Sequence, residues 1–317
     1  MNCTPLALTA ALLFGVASNA QATPMEVYRS SMSHGAGWGI NAFGDGDHAA
    51  TFGYDYSADG VPEAPNSRGG DLATRGVKLE ANTDPNSPGA SGFMLYPVGQ
   101  NFTGRYQLRF DAWMNYDAHE RINGGSAGTT EFLGGGIGYD NAAADLGVGA
   151  QVIATGEGGS GSDWRAFGEG SFLGAADMTA GTRNGFDPHY ADFLPGVAPS
   201  LAQAQVSHPA GVAGSPGFQW VTFEITTDGA EADVWIEKPG GDRLEITTIN
   251  DNGAHPFTSD GNVGIYYADL FSSVSSRPDL MFGLVDNVVV TQNPVPEPGA
   301  LALAVVGLSG LIRNRRR

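Results

Sequence analysis

Apolar and polar residues alternate most regularly between Arg105 and Tyr116. Tyr106, Leu108, Phe110, Ala112, Met114 and Tyr116 fall on one side, and Gln107, Arg109, Asp111, Trp113 and Asn115 on the other. A period of two marks a strand with one face in a core, so this segment predicts a half-buried central strand. Trp220 to Thr248 predicts a three-strand meander: Val221, Phe223 and Ile225 face inward, Asp228-Gly229 turns, and Ala232, Val234 and Ile236 follow. Pro239-Gly240-Gly241 then turns into Leu244, Ile246 and Thr248. Shorter strands are expected over Gly76–Ala81 and Gly92–Tyr96, parted by a Pro/Asn/Gly-rich turn, and over Asn262–Phe271. Glu131–Tyr139 and Val148–Thr155 read as strands laden with glycine, which permits bulges or close sheet contact. Leu280–Thr291 is apolar on both faces and predicts an interior strand. No part of the body carries a long helical period. The expectation is an all-β body, a two-sheet antiparallel β-sandwich over residues 23–293, broken by a long irregular excursion at 168–217.

Composition narrows the partners. The chain of 317 residues carries 34 Asp+Glu against 16 Lys+Arg, a formal net charge of −18. Four of those basic residues sit at the extreme C-terminus, so the body is more acidic still. Nucleic acid is excluded as a partner, and neutral polymers or divalent cations suit the charge better. The 47 glycines fit turns and tight sheets rather than disorder, because β-patterned runs interrupt them.

Both ends read as export signals. Residues 1–22 have the form of a secretory signal peptide, expected as a helix: an apolar stretch from Leu6 to Ala17, then Ala20-Gln21-Ala22 as a small-x-small cleavage site. The first turn lacks Lys and Arg, which departs from the usual pattern. Passage through the Sec translocon and a mature start at Thr23 are expected. The single cysteine, Cys3, leaves with the signal, so no disulfide can hold the mature body. At the other end, Pro294 to Gly299 introduces an apolar run from Ala300 to Ile312, closed by Arg313, Arg315, Arg316 and Arg317. At ~1.5 Å per residue a transmembrane helix over 300–312 spans about 20 Å against a hydrocarbon core of about 30 Å. Arginines at 313–317 resist translocation and stay on the cytoplasmic side. The segment suits brief retention followed by removal.

This order, Pro296-Glu297-Pro298, a short transmembrane run and an Arg cluster, resembles the PEP-CTERM sorting signal of Gram-negative bacteria over residues 294–317. The resemblance implies recognition by an exosortase, a membrane-embedded Cys transpeptidase-like protease, with cleavage close to Pro296-Glu297-Pro298. The protein would be exported across the inner membrane, held transiently by its C-terminus, then released to the cell surface or medium. The meander in turn resembles concanavalin A-like lectin/glucanase sandwiches of the laminin-G-like branch, a jelly-roll arrangement. The body also looks like a group of exported bacterial proteins that carry Gly53-Tyr54-Asp55-Tyr56-Ser57 early and Asp286-Asn287-Val288 near the end.

Catalytic chemistry is sparse. Glu231, Asp233 and Glu237 approach the Glu-x-Asp-x-Glu strand of glycoside hydrolases on this fold, and strand geometry puts them on one face. Asp233 and Glu237 are then about 13 Å apart, beyond the ~5–9.5 Å of paired glycosidase carboxyls. The wet face of an exterior strand is the leading reading. For a cation, Asp45 and Asp47 cluster on a glycine-bearing loop with Asp286 as a further candidate; a structural calcium competes with plain solvated acidic turns. For glycan, Trp38, Tyr54 and Trp113 are candidate stacking rings, and core packing is the competing reading. Two functions remain: a non-enzymatic envelope or matrix protein that binds extracellular polysaccharide, or a hydrolase or lyase on a lectin-like fold. The first is preferred.

Overall fold

The computed structural model describes residues 24–44, 47–70, 72–122, 128–205, 211–251 and 253–292. The signal segment at 1–22, the sorting signal at 294–317 and Asp45 lie outside the described residues. Among the described residues no helix is long and apolar enough to cross a membrane.

Fifteen strands follow one another among the described residues: β1 (Met25–Ser30), β2 (Trp38–Phe43), β3 (His48–Asp55), β4 (Arg75–Ala81), β5 (Ser91–Pro97), β6 (Tyr106–Asn115), β7 (Glu131–Tyr139), β8 (Ala150–Thr155), β9 (Trp164–Gly168), β10 (Ser171–Phe172), β11 (Val221–Thr227), β12 (Glu231–Glu237), β13 (Arg243–Asn250), β14 (Asn262–Asp269) and β15 (Phe282–Gln292). The helices α1 (Ala118–Ile122) and α2 (Pro188–Ala191) are short. One sheet has eight strands in the order β13-β12-β11-β6-β15-β4-β3, with β1 added beside β15; the other has seven in the order β10-β9-β8-β7-β14-β5-β2. Their pairings are antiparallel, and the architecture is the expected all-β two-sheet sandwich.

The alternation along β6 produces its burial. Tyr106, Leu108, Phe110, Ala112 and Met114 fill the space between the sheets, and Phe110 stacks on Phe223 of β11 at 5.2 Å. Gly135 on β7 admits that phenyl ring, since a Cβ there would lie 3.0 Å from it. The other face of β6 is less wet than alternation alone predicts. Asp111, Trp113 and Asn115 are buried, because the segment from Tyr56 to Thr74 crosses the outside of the sheet as a strap. Tyr56, Val61 and Ala64 of the strap pack with Trp113, Trp220, Phe282 and Leu284 in a second apolar layer. A third layer, with Met94, Phe132, Tyr139, Ile153 and Tyr266, coats the outer face of the seven-stranded sheet.

β15 is the interior strand that its two apolar faces predict. It pairs with β6 along one side, and along the other first with β4 and then with β1. The register slips between Asp286 and Val289, where the partner changes, and Asn287 adopts a φ of +53°. Asn tolerates this left-handed conformation better than most side chains. Parts of the irregular run at 168–217 are packed into the sandwich. Leu173, Met178, Tyr190 and Leu194 are buried in the main core, and Tyr190 stacks on Trp164 at 5.4 Å. Thr179 N donates to Ile246 O and Leu173 N to Ala166 O, so this run closes the side of the sandwich between β13 and β9.

Candidate functional site

The acids of the sandwich gather at one end of the seven-stranded sheet. Glu131 opens β7 and Asp269 closes β14, and the two are register partners across the ladder. Each shares the parity of an inward apolar neighbour, Leu133 and Tyr267, so both carboxyl groups turn toward the other sheet. They are 3 % and 1 % exposed. Asn82, at the end of β4 with a φ of +50°, ties this end together. Its Nδ2 donates to Asp269 Oδ2 at 2.7 Å and to the carbonyls of Ser273 (2.9 Å) and Phe271 (3.4 Å). Phe271 N donates to Asp269 Oδ1 at 2.7 Å, and Gly128 N to Ser273 Oγ at 2.8 Å. The loop after β14 is therefore pinned at several points.

Behind it, Glu157 accepts from the Thr129 and Thr130 hydroxyls and lies 3.5 Å from the Arg121 guanidinium. Burial pushes the carboxyls of Glu131, Glu157 and Asp269 above the usual range. Asp269 reaches about 6, with the Glu157 charge adding to the rise against the hydrogen bonds from Asn82 and Phe271 N. Beside the acids lies a shallow, open depression in the surface, lined by Ala90, Thr130, Leu270, Phe271, Ser272 and Ser273. The Phe271 side chain is 47 % exposed. Its ring continues the aromatic layer of the sheet, 6.4 Å from Phe132, over which Arg165 stacks at 4.3 Å. An apolar ring amid hydroxyl groups can stack on a flat, polar ligand while the hydroxyls supply hydrogen bonds.

A second polar assembly lies on the outer face of the eight-stranded sheet. Asp111 Oδ1 accepts from Asn66 Nδ2 (2.6 Å) and Thr222 Oγ1 (2.6 Å). Its Oδ2 accepts from Asn66 N (3.0 Å) and Asn287 Nδ2 (2.8 Å). Its register partner Asp286 accepts Asn287 N at 2.7 Å. The Tyr56 hydroxyl stands 3.0 Å from Asp286 Oδ2 and 3.1 Å from Ala73 O. Thus the Gly-Tyr-Asp-Tyr-Ser and Asp-Asn-Val motifs meet in a buried hydrogen bond. Burial, reinforced by the Asp111 and Glu63 charges, pushes Asp286 up to about 7. A small cavity of about 130 Å³ beside it is lined by Ser30, Ser31, Ser67, Asp286 and by Arg29 and Arg68, whose guanidinium groups both bind Glu26.

The candidates from the sequence are dispersed. Asp47 caps the turn after β4, accepting from Thr83 Oγ1 (3.0 Å) and Asp84 N (2.6 Å), at the opposite end of β3 from the strap and Asp286. The structure therefore does not bring Asp47 and Asp286 together around one cation. Among the described residues no three His, Cys, Asp or Glu side chains converge as a ready metal-binding group. Trp113 is 5 % exposed, 5.7 Å from Trp220, and packs the layer under the strap, so it offers no ring to a glycan. Trp38 is half-buried on edge strand β2 against Tyr28 and Phe52, and Tyr54 is half-buried with its hydroxyl donated to Asp59 Oδ2 at 2.6 Å. Glu231 is exposed; Asp233 accepts from Thr248 Oγ1 (2.8 Å), and Glu237 binds Arg109 (3.1 Å). None of the three lines the cavity or the depression. Sequence reasoning missed Glu131 and Asp269, although strand parity marked both as charged residues on inward faces.

No protein-family model matches the chain, and no curated relative matches it. Solved structures resemble it at low identity. The VIP36 exoplasmic/lumenal domain in its Ca2+-bound form is 7% identical with a TM-score of 0.43, covering 83% of this chain and 86% of that one. Lectin UEA-II complexed with galactose is 10% identical, TM-score 0.34, covering 68% and 87%. Peanut lectin with a 9mer peptide is 10% identical, TM-score 0.37, covering 82% and 99%. These TM-scores are too low for the likeness to decide topology or ligand.

Proposed function

We propose that the chain is an exported, non-enzymatic protein of the cell envelope or extracellular matrix that binds polysaccharide at the depression around Phe271. The observation that carries the binding is the exposed Phe271 ring, set among Thr130, Ser272 and Ser273 on a loop that Asn82 and Asp269 hold in place. A pinned loop loses little freedom on binding, which favours affinity. The surface of the depression carries hydroxyls and no ionised side chain, suiting a neutral sugar polymer rather than an anionic one. Hydrolysis on β12 has no comparable support, because Asp233 and Glu237 are engaged by Thr248 and Arg109 away from the cavity and the depression.

Removing the ring should cost about 1–1.5 kcal/mol of stacking, roughly five- to tenfold in affinity. On a glycan array of neutral polysaccharides the wild type should be retained, and Phe271→Ala should bind about five- to tenfold more weakly. Equal retention of both proteins, or of neither, removes this reading.

Delivery is proposed to follow the tail: Sec export, retention by 300–312 and 313–317, and exosortase cleavage near Pro296-Glu297-Pro298. In the host, deleting the exosortase should leave the chain uncleaved and membrane-bound, whereas the parent strain should release a product lacking Arg313–Arg317. A released protein that still ends in Arg317 would rule the tail out as a processing signal.

A further inference from the structure

On one side of β15 the ladder breaks at a single point. Val285 pairs with Val77 of β4 and Val288 with Ser30 of β1, so no strand lies there beside Asp286 and Asn287. The cavity of about 130 Å³ occupies this gap, with Asp286, Asn287, Ser67, Leu72, Arg29 and Arg68 among its walls. Exposure orders these groups. Asp286 and Asn287 are 1 % and 6 % exposed, whereas the Arg29 and Arg68 side chains are 28 % and 68 % exposed. The carboxyl therefore forms the floor and the guanidinium groups the rim. The two ends differ in sign. Arg29 and Arg68 converge on one oxygen, Glu26 Oε2, at 2.7 and 3.1 Å, and two guanidinium groups against one carboxylate leave the rim positive. Arg68 uses only Nη2 there, and its other N–H groups stay available. At the floor Asp286 accepts one donor on each oxygen, Asn287 N and the Tyr56 hydroxyl, and each oxygen has room for a second. The Asp111 and Glu63 charges that act on it are negative. Asn287 donates its Nδ2 to Asp111, and its Oδ1 receives no hydrogen bond among the described residues. A buried acid and a buried carbonyl oxygen without a cation favour a ligand that brings positive charge and N–H donors.

We propose that this cavity binds a small zwitterion of the α-amino-acid class, its ammonium on Asp286 and Asn287 Oδ1 and its carboxylate on Arg29 and Arg68. A simple anion would meet the acid at the floor, and a simple cation would sit beneath a positive rim. A molecule carrying both charges, one at each end, satisfies both, and a guanidinium binds a carboxylate through paired N–H groups. Size sets the side chain. An apolar cavity of about 150 Å³ accepts benzene, so one of about 130 Å³ accepts a ligand of about six heavy atoms: glycine, alanine or serine. A sugar ring with its hydroxyls has about twice as many and does not fit. The cavity shares no residue with the depression around Phe271, so neither reading depends on the other.

The test is saturation-transfer NMR on the ligand methyl group, with the purified full-length chain above pH 7, where Asp286, raised to about 7, is mostly ionised. L-alanine should bind saturably with a Kd of about 1 mM or tighter. N-acetylalanine lacks the ammonium and alaninamide lacks the carboxylate. Each should bind at least about tenfold more weakly, because a charge-assisted contact at one end is lost. Asp286→Asn keeps the shape of the floor and removes its charge, so it should weaken alanine about tenfold or more. Arg68→Met alters an exposed side chain that the fold does not need, and should weaken alanine by about fivefold. It decides the matter if Asp286→Asn fails to fold. Phe271→Ala should bind alanine as wild type does. No saturable binding of alanine by wild type overturns the proposal and leaves a water-filled cavity. Binding of either analogue as tight as that of alanine overturns it too, as does alanine binding unchanged in both Asp286→Asn and Arg68→Met.

Discussion

Asp111→Ala should lower the unfolding free energy by about 4 kcal/mol. The carboxylate is 0 % exposed and accepts four hydrogen bonds, two of them from Asn66. Truncation leaves the buried Thr222 hydroxyl and the buried Asn287 side-chain amide without this acceptor, whereas Asn66 is exposed and its side chain keeps Thr222 Oγ1 as an acceptor at 2.9 Å. Each buried donor without an acceptor costs about 1–3 kcal/mol. Burial already pushes the Asp111 pKa up, and the hydrogen bonds from Thr222, Asn66 and Asn287 oppose that rise. The loss is therefore below the sum of four strong bonds. Asp111→Asn should recover only part of the stability, because one end of the amide must point N–H groups at donors. Asn66 is also the link that holds the strap over Trp113 and Trp220, with Trp220 Nε1 donating to Pro62 O at 2.8 Å. Losing it should admit water to both indoles and red-shift their emission before global unfolding. Urea melts followed by tryptophan fluorescence measure both effects. An Asp111→Ala midpoint within about 1 kcal/mol of wild type would show that the strap is held by its apolar contacts alone.

That hub shows where the sequence was readable and where it was not. Strict alternation made β6, β11 and β12 legible, and β15 was legible from apolar residues on both faces. In β13 a bulge opposite Val234 and Trp235 shifts the expected phase, so that Ile246 and Ile249 reach the core while Thr248 turns to Asp233. β1, β2 and β3 were not legible: these are peripheral strands with half-buried residues, and in β2 and β3 Gly, Asn and Thr interrupt the pattern. The same alternation placed Asp111 and Trp113 in water, since a pattern along one strand cannot report a strap arriving from residues 56–74. Tyr56 and Asp286 stood out as members of separate motifs, but their contact joins positions 230 residues apart. Asp47 and Asp286 were grouped by chemistry alone, and the length of β3 separates them. For the Glu131–Asp269 pair the information was present: both lie in segments read as strands, at inward parity. What the sequence did not supply was the pairing of β7 with β14, which turns two separate charges into neighbours.

The same buried acids should make the metal-free protein lose stability as pH rises from about 4.5 to 8. Asp269 and Asp286, each 1 % exposed, are raised to about 6 and about 7, first by burial and then by neighbouring carboxylates. An unfolded Asp ionises near pH 3.9, so the native state holds these protons more tightly than the unfolded chain. The resulting stabilisation is complete below about pH 4. It is lost as pH rises through about 6 for Asp269 and about 7 for Asp286. At about 1.4 kcal/mol per pH unit the two windows amount to about 3 and about 4 kcal/mol. Asp111, Glu131 and Glu157 shift in the same direction. Glu26, Asp55, Asp228 and Asp279 shift the opposite way, through hydrogen bonds and ion pairs at the surface. Solvent screening keeps that opposing contribution small. Urea midpoints measured in chelator across this range should fall steadily. Asp286→Asn should flatten the window near pH 7 without unfolding the bulge, because the Tyr56 hydroxyl retains Ala73 O as an acceptor. Stability that stays level or climbs in chelator would mean that water or a cation reaches these carboxylates in the native state, so that they ionise near their ordinary values.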